Sequence, residues 1–181
     1  MSARAALRAA TAGAHDEVDS IFSRFDLGRT EGYRRFLMAQ ASAVLPVEAA
    51  LDRAGAAELV PDWTARRRAD ALRSDLSALS AEPPPPLLSP IFGSPEAVLG
   101  GVYVLEGSRL GGALLSRSLP AGVPSAFLRS PPESLRWRKL LEELEILLYR
   151  NDQVADAAGA AINVFACFAE AGRRQLENAG T

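Results

Sequence analysis

The chain has 181 residues, 48 % of them hydrophobic and 23 % charged. That length and composition suit one core-bearing domain spanning residues 1–181 and speak against wholesale disorder. Twenty Lys and Arg against 22 Asp and Glu give a net charge of -2, which argues against a dedicated nucleic-acid binder. A single cysteine, Cys167, excludes an intramolecular disulfide, a zinc finger and a cysteine-ligated iron–sulfur centre. A single histidine, His15, excludes a multi-histidine metal site and leaves a Ser-His-Asp arrangement only if it is the base.

The first 20 residues carry Arg4, Arg8 and His15 where a secretory signal needs an uninterrupted apolar stretch. No apolar run reaches the ~20 residues required to cross a bilayer. The expectation is a cytoplasmic protein without membrane insertion.

Helical periodicity dominates the segments in chain order. Residues 3–24 space Leu7, Ala10, Ala14, Val18 and Phe22 at three- and four-residue steps. Residues 30–54 follow, with Thr30 as N-cap, Pro46 as an expected kink and Gly55 as terminator. Residues 63–80 place Trp63, Leu72, Leu76 and Leu79 inward and predict Arg66, Arg68 and Asp75 on the exposed face. Pro83–Pro86 cannot form a helix ladder; an interdomain linker and a proline-rich ligand are possible, and a stiff crossing within one domain is the simpler reading.

Ser94-Pro95-Glu96 combines a capping hydroxyl with proline at the first helical position, predicting a helix through Gly107 and Gly111 to about Leu119. Ser130-Pro131-Pro132-Glu133 repeats the signal, ahead of a helix offering Leu135, Leu140, Leu144, Leu147 and Leu148 to the core. A last helix starts near Asn151 and carries Ile162, Phe165, Phe168 and Ala169, with Gly159 and Gly172 as weak points. Strand alternation is scarce, so the fold class is all-α, with six or so packed helices.

Two segments carry the chemistry. In YVLEGSRLGGALL, Gly107 and Gly111 share a helix face and Gly112 follows. Each interior glycine costs about 1 kcal/mol relative to alanine. Close helix packing, a bend, or a flat ligand lying on exposed backbone each offset that cost. A phosphate loop is excluded by the absence of GxxxxGK[ST] or GxGxxG, and EGSRL is not the GxSxG elbow that would make Ser108 a nucleophile.

In LRAATAGAHDEVD, His15 lies four residues after Thr11 and seven after Arg8 on one stripe. Such a histidine is ordinarily structural. It is also sufficient as one axial ligand to an iron whose other four donors come from a porphyrin, with Arg8 facing a propionate.

LRAATAGAHDEVD and YVLEGSRLGGALL together resemble the proximal and distal helices of the heme oxygenase family, in particular compact bacterial members found with phytochromes. The resemblance follows segment order across nearly the whole chain, to INVFACF. It implies a single-domain helical fold with heme, both cofactor and substrate, sandwiched between the two helices. It also implies O2- and electron-dependent opening of the ring to biliverdin, carbon monoxide and iron. An external reductant of the ferredoxin or flavodoxin type is implied; the reaction would either supply biliverdin to an acceptor such as a bacterial phytochrome or serve iron acquisition.

Carried over residue by residue, the resemblance makes His15 the iron ligand and assigns Gly107, Ser108 and Gly111 to catalysis. Arg8, Thr11, Gly112, Arg136, Arg138, Asn163, Phe165 and Phe168 join His15, Gly107 and Gly111 in heme binding. Val102 matches a tyrosine of animal members, with Tyr103 turned elsewhere. Ser108 stands where animal members have an aspartate, so proton delivery would use waters, Ser108 or main-chain groups. Glu106 and Arg109 point away from the Gly107–Gly111 face and are not assigned as acids. The alternatives are a non-catalytic heme carrier or sensor, and a helical adaptor recruiting partners through Pro83–Pro86.

Overall fold

The computed structural model describes residues 2–87, 90–129 and 134–178, and all regular structure among them is helical. α1 (Ala3–Phe22) starts where Ser2 Oγ accepts the Ala5 amide at 3.3 Å. The Glu145 carboxylate accepts the free amides of Ala3 and Arg4, each at 2.9 Å, which ties the start of α1 to a helix 140 residues later. α2 (Thr30–Arg53) is N-capped by Arg29 rather than Thr30 and runs on through Pro46. It ends before Gly55, whose φ of 79° is the left-handed conformation that stops a helix. The four-residue α3 (Ala56–Leu59) follows.

The helix expected over 63–80 is two helices, α4 (Trp63–Arg66) and α5 (Ala69–Ala78). The cause lies on α2. Buried Glu48 accepts the amides of Arg68 at 2.7 Å and Ala69 at 3.1 Å, so its carboxylate caps α5 and halts the ladder at Arg67. The expected exposed face is also corrected: Arg66, Arg68 and Asp75 are all buried. Arg66 pairs with Glu106 at 2.8 Å and Asp62 at 2.6 Å, while Asp75 accepts the amides of Ala126 at 3.0 Å and Phe127 at 2.9 Å. The charges sit inward because distant segments supply their partners.

Pro83–Pro86 is non-helical, and the hydrophobic core is continuous between residues before and after it. α6 (Pro95–Leu115) begins as its capping signal demands, with Ser94 Oγ accepting the Ala97 amide at 3.0 Å. A 3-10 turn, Ser116–Ser118, extends it. α7 (Ala126–Arg129) is short, and α8 (Ser134–Leu147) follows. The capping signal expected at 130–133 lies outside the described residues. Leu140, Leu144 and Leu148 are buried as expected, whereas Leu135 and Leu147 are exposed.

α9 (Asn151–Glu177) is continuous through Gly159 and Gly172. By length and composition it is apolar enough to cross a membrane; here it packs against α1, α2 and α6 as the central helix. Gly100 of α6 permits the packing with α9, and Gly101 a close fit to Phe92 and to Leu51 of α2. A Cβ on Gly100 would overlap the Ala157 carbonyl of α9, and one on Gly101 would lie 2.6 Å from the Phe92 ring. Gly172 does the same for α1, where a Cβ would stand 2.6 Å from Ile21 Cγ2.

Candidate active site

A cleft of about 630 Å³ separates α1 from the second half of α6. That volume is in the range of small-molecule and cofactor sites. α1 contributes Arg4, Arg8, Thr11 and His15; α6 contributes Tyr103, Gly107, Ser108, Gly111 and Gly112. Phe165 and Phe168 of α9 form its base, Phe127 and Leu128 of α7 close one end, and Trp137 of α8 stands opposite Tyr103, ring centroids 5.6 Å apart. The two motifs singled out in the sequence therefore face one another across an open slot.

His15 is half-exposed on the cleft wall, and its ring meets Phe165 edge-to-face at 5.8 Å. Asp19, one turn on, places Oδ2 3.3 Å from His15 Nδ1. A carboxylate there favours the proton on Nδ1 and leaves the Nε2 lone pair for a metal. Among the described residues no cluster of three or more His, Cys, Asp or Glu is placed to hold a metal ion, so a metal here needs most of its ligands from elsewhere. A porphyrin supplies four, and this donor set fits one. Arg4 and Arg8, four residues apart at the cleft edge, are cations suited to carboxylates; Arg4 also acts on Glu145, and neither side chain is within ion-pair distance of a carboxylate among the described residues. Thr11 is buried, and its hydroxyl donates back to the Leu7 carbonyl at 2.8 Å.

The glycines of α6 divide by role. A Cβ on Gly107 would make ordinary contact with Trp137 at 3.5 Å, and one on Gly111 would meet nothing within 4 Å. Gly112 abuts Leu128, 3.3 Å from a built Cβ. Close helix packing is thus the work of Gly100 and Gly101, while Gly111 leaves bare backbone facing open space. Ser108 Oγ donates to the Leu105 carbonyl at 2.7 Å and accepts from Arg68 Nη2 at 2.5 Å.

Several expected site residues lie elsewhere. Arg136 donates to the Ala65 carbonyl at 3.2 Å and faces Asp62; Arg138 is exposed beside Glu142 at 3.8 Å. Neither reaches the cleft, because the face of α8 turned to it carries Trp137 and Leu141. Asn163 is exposed and also off the cleft, whereas Phe165 and Phe168 are buried against it. Tyr103 turns into the cleft rather than away, and Val102 is in the core. Glu106 and Arg109 occupy the far side of α6 as expected, bonded to each other at 2.8 Å and to Arg66.

Sequence reading missed Arg68, Phe127, Trp137 and Gln40, all on the cleft wall. The spacing of Trp137 three residues before Leu140 was a usable signal for an inward face; for Arg68 there was none, since its partners are about 40 residues away.

No family model matches the sequence. The chain is 35 % identical over 112 residues to the heme oxygenase of Xanthomonas campestris pv. campestris (strain 8004), covering 59 % of this chain and 67 % of that protein. In fold it is similar to the NO- and CO-bound heme oxygenase of Neisseria meningitidis, with a TM-score of 0.83 at 24 % identity over 97 % of this chain and 92 % of that one. It is likewise similar to the heme oxygenase of Leptospira interrogans, with a TM-score of 0.75 at 19 % identity over 95 % and 98 % of the two chains. With a helical slot that sets one histidine against a glycine wall, and a sequence relative covered over two thirds of its length, the chain belongs to the heme oxygenase family.

Proposed function

We propose that this chain opens the heme ring in an O2- and electron-dependent reaction, releasing biliverdin, carbon monoxide and iron. The observation that carries the reading is the chain's one histidine facing the bare Gly111 backbone across a single cleft. Heme when bound would supply the redox-active iron and the carbon skeleton that is oxidised.

The protein's part is positioning and control of water. His15 Nε2 would hold the iron, with Asp19 orienting the imidazole through Nδ1. Arg4 and Arg8 at the cleft edge would hold the propionates and so orient the substrate. The α6 backbone at Gly111 permits close approach on the opposite face without a Cβ in the way. The Ser108 hydroxyl lies in the same wall; its hydrogen goes to the Leu105 carbonyl and Arg68 donates to Oγ, which leaves one lone pair to accept from water in the cleft. Phe165 and Phe168 at the base and Trp137 beside Tyr103 exclude bulk water from the cleft.

Electrons come from an external carrier of the ferredoxin or flavodoxin class. The product serves a biliverdin-binding acceptor such as a bacterial phytochrome, and the cell compartment is the cytoplasm. The single domain spans residues 1–181.

The test is anaerobic loading with ferric heme, followed by reductant and O2. Loss of the heme absorption with stoichiometric biliverdin and carbon monoxide is expected. Heme that is bound but survives turnover conditions intact contradicts the reading and identifies a carrier or sensor.

A further inference from the structure

Tyr33 on α2 is wholly buried, and its hydroxyl has no hydrogen-bond partner among the described residues. The ring stacks on Phe36, a residue of the cleft wall, with centroids 6.3 Å apart. Phenylalanine would fill that space without stranding a buried oxygen. Burial raises the hydroxyl pKa above its ordinary value; the Asp75 charge adds to the rise and Arg129 opposes it. The group is therefore a protonated donor at neutral pH.

Asp75 stands on α5, which packs against α2 on one side and α7 on the other. Its buried carboxylate accepts the amides of Ala126 at 3.0 Å and Phe127 at 2.9 Å. Those amides open α7, a helix of four residues, and precede the reach of its own ladder, which closes Arg129 N–H on the Ser125 carbonyl at 2.9 Å. The carboxylate thus docks α7 with Phe127 and Leu128 as the end wall of the cleft.

Docked α7 satisfies two amides and leaves the Tyr33 hydroxyl unpaired. Release of α7 gives both amides to water and frees Asp75 to accept from Tyr33. The unpaired hydroxyl therefore narrows the free-energy gap between the two arrangements.

We propose that α7 is a gate at one end of the cleft and that Tyr33 and Asp75 are its positioning residues: Asp75 holds α7 when the gate is shut and accepts the Tyr33 hydroxyl when it is open. The gate stands on Tyr33, Asp75 and α7; its use by heme rests on the reading above.

The experiment follows amide hydrogen exchange in the full chain over a range of low denaturant concentrations. In the wild type, Ala126 and Phe127 should exchange through a local opening, at rates that low denaturant leaves unchanged while it speeds the buried central amide of Val164. Exchange of Ala126 and Phe127 only in step with Val164 overturns the proposal without recourse to a variant. Tyr33→Phe removes the hydroxyl that release would satisfy, so these two amides should slow by at least about fivefold. Asp75→Asn keeps one accepting oxygen and should speed them by at least about tenfold. Unchanged or faster exchange in Tyr33→Phe overturns the proposal, whether the hydroxyl merely fills space or holds a buried water. On the heme-loaded protein, heme transfer to excess apomyoglobin should slow in Tyr33→Phe and quicken in Asp75→Asn. Transfer rates indifferent to both substitutions overturn the gate's role at the cleft. A wild-type chain that takes up no heme overturns the heme reading and leaves the exchange result to decide the gate.

Discussion

At the scale of single residues, glycine has two opposite uses in one helix. Gly100 is required by α9, since any Cβ there would overlap the Ala157 carbonyl. Gly111 is required by nothing within the protein, since a Cβ there meets open space. Folding energetics therefore predict opposite signs for the same substitution. Gly111→Ala should raise stability by up to about 1 kcal/mol through helix propensity, while impairing ring placement and turnover. Gly100→Ala should lower stability by about 1–3 kcal/mol through overpacking, with the site's chemistry unchanged per folded molecule. Chemical denaturation and turnover of the two variants check this; a destabilised Gly111→Ala with normal turnover would remove the case for Gly111 as a ligand surface.

At the scale of elements, the arrangement depends on side chains that end or begin helices at a distance. Glu145 fixes the start of α1, Glu48 the start of α5, and Asp75 the start of α7. Through α1 and α7 they set both the His15 wall and the Phe127–Leu128 end of the cleft. The backbone bonds from Arg4 and Ala3 hold the Glu145 carboxyl below its usual range. Glu48 is the opposite case, because burial raises its pKa above the ordinary 4.5 despite the amides and cations that lower it. The folded chain then binds this proton more tightly than the unfolded chain. Its contribution to stability is greatest below pH 4.5 and declines as pH rises through the raised folded value. Glu48→Gln should remove that component of the pH slope just above the ordinary carboxyl range, as measured by denaturation at a series of pH values. An unaltered slope would show that Glu48 titrates like a solvent-exposed carboxylate.

At the scale of the whole molecule, the sequence was legible wherever information was local. The Ser94-Pro95 cap, the Gly55 stop and the periodicity of α1, α2, α6 and α9 all follow from residues within a turn or two of each other. The two chemical motifs were legible for the same reason. What could not be read was placement that depends on partners far along the chain. Periodicity sends Arg66, Arg68 and Asp75 to solvent, yet each is drawn inward by an acceptor or donor 40 to 52 residues away: Glu106, Ser108 and Phe127. Arg136, Arg138 and Asn163 were carried over from the family resemblance, and none lines the cleft, because a rotation of one residue along a helix decides between cleft and surface. Trp137, the neighbour of Arg136, reaches the cleft that Arg136 does not.

The central claim, that His15 ligates heme iron in this cleft, has an unusually direct test because the sequence has 1 histidine. Tag-free ferric heme-loaded protein should show a histidine-bound iron by electron paramagnetic resonance and resonance Raman spectroscopy. His15→Ala should lose that signature and regain a nitrogen-ligated one when imidazole is added. A histidine-type spectrum in His15→Ala without imidazole, or a wild-type spectrum without nitrogen ligation, would contradict the account.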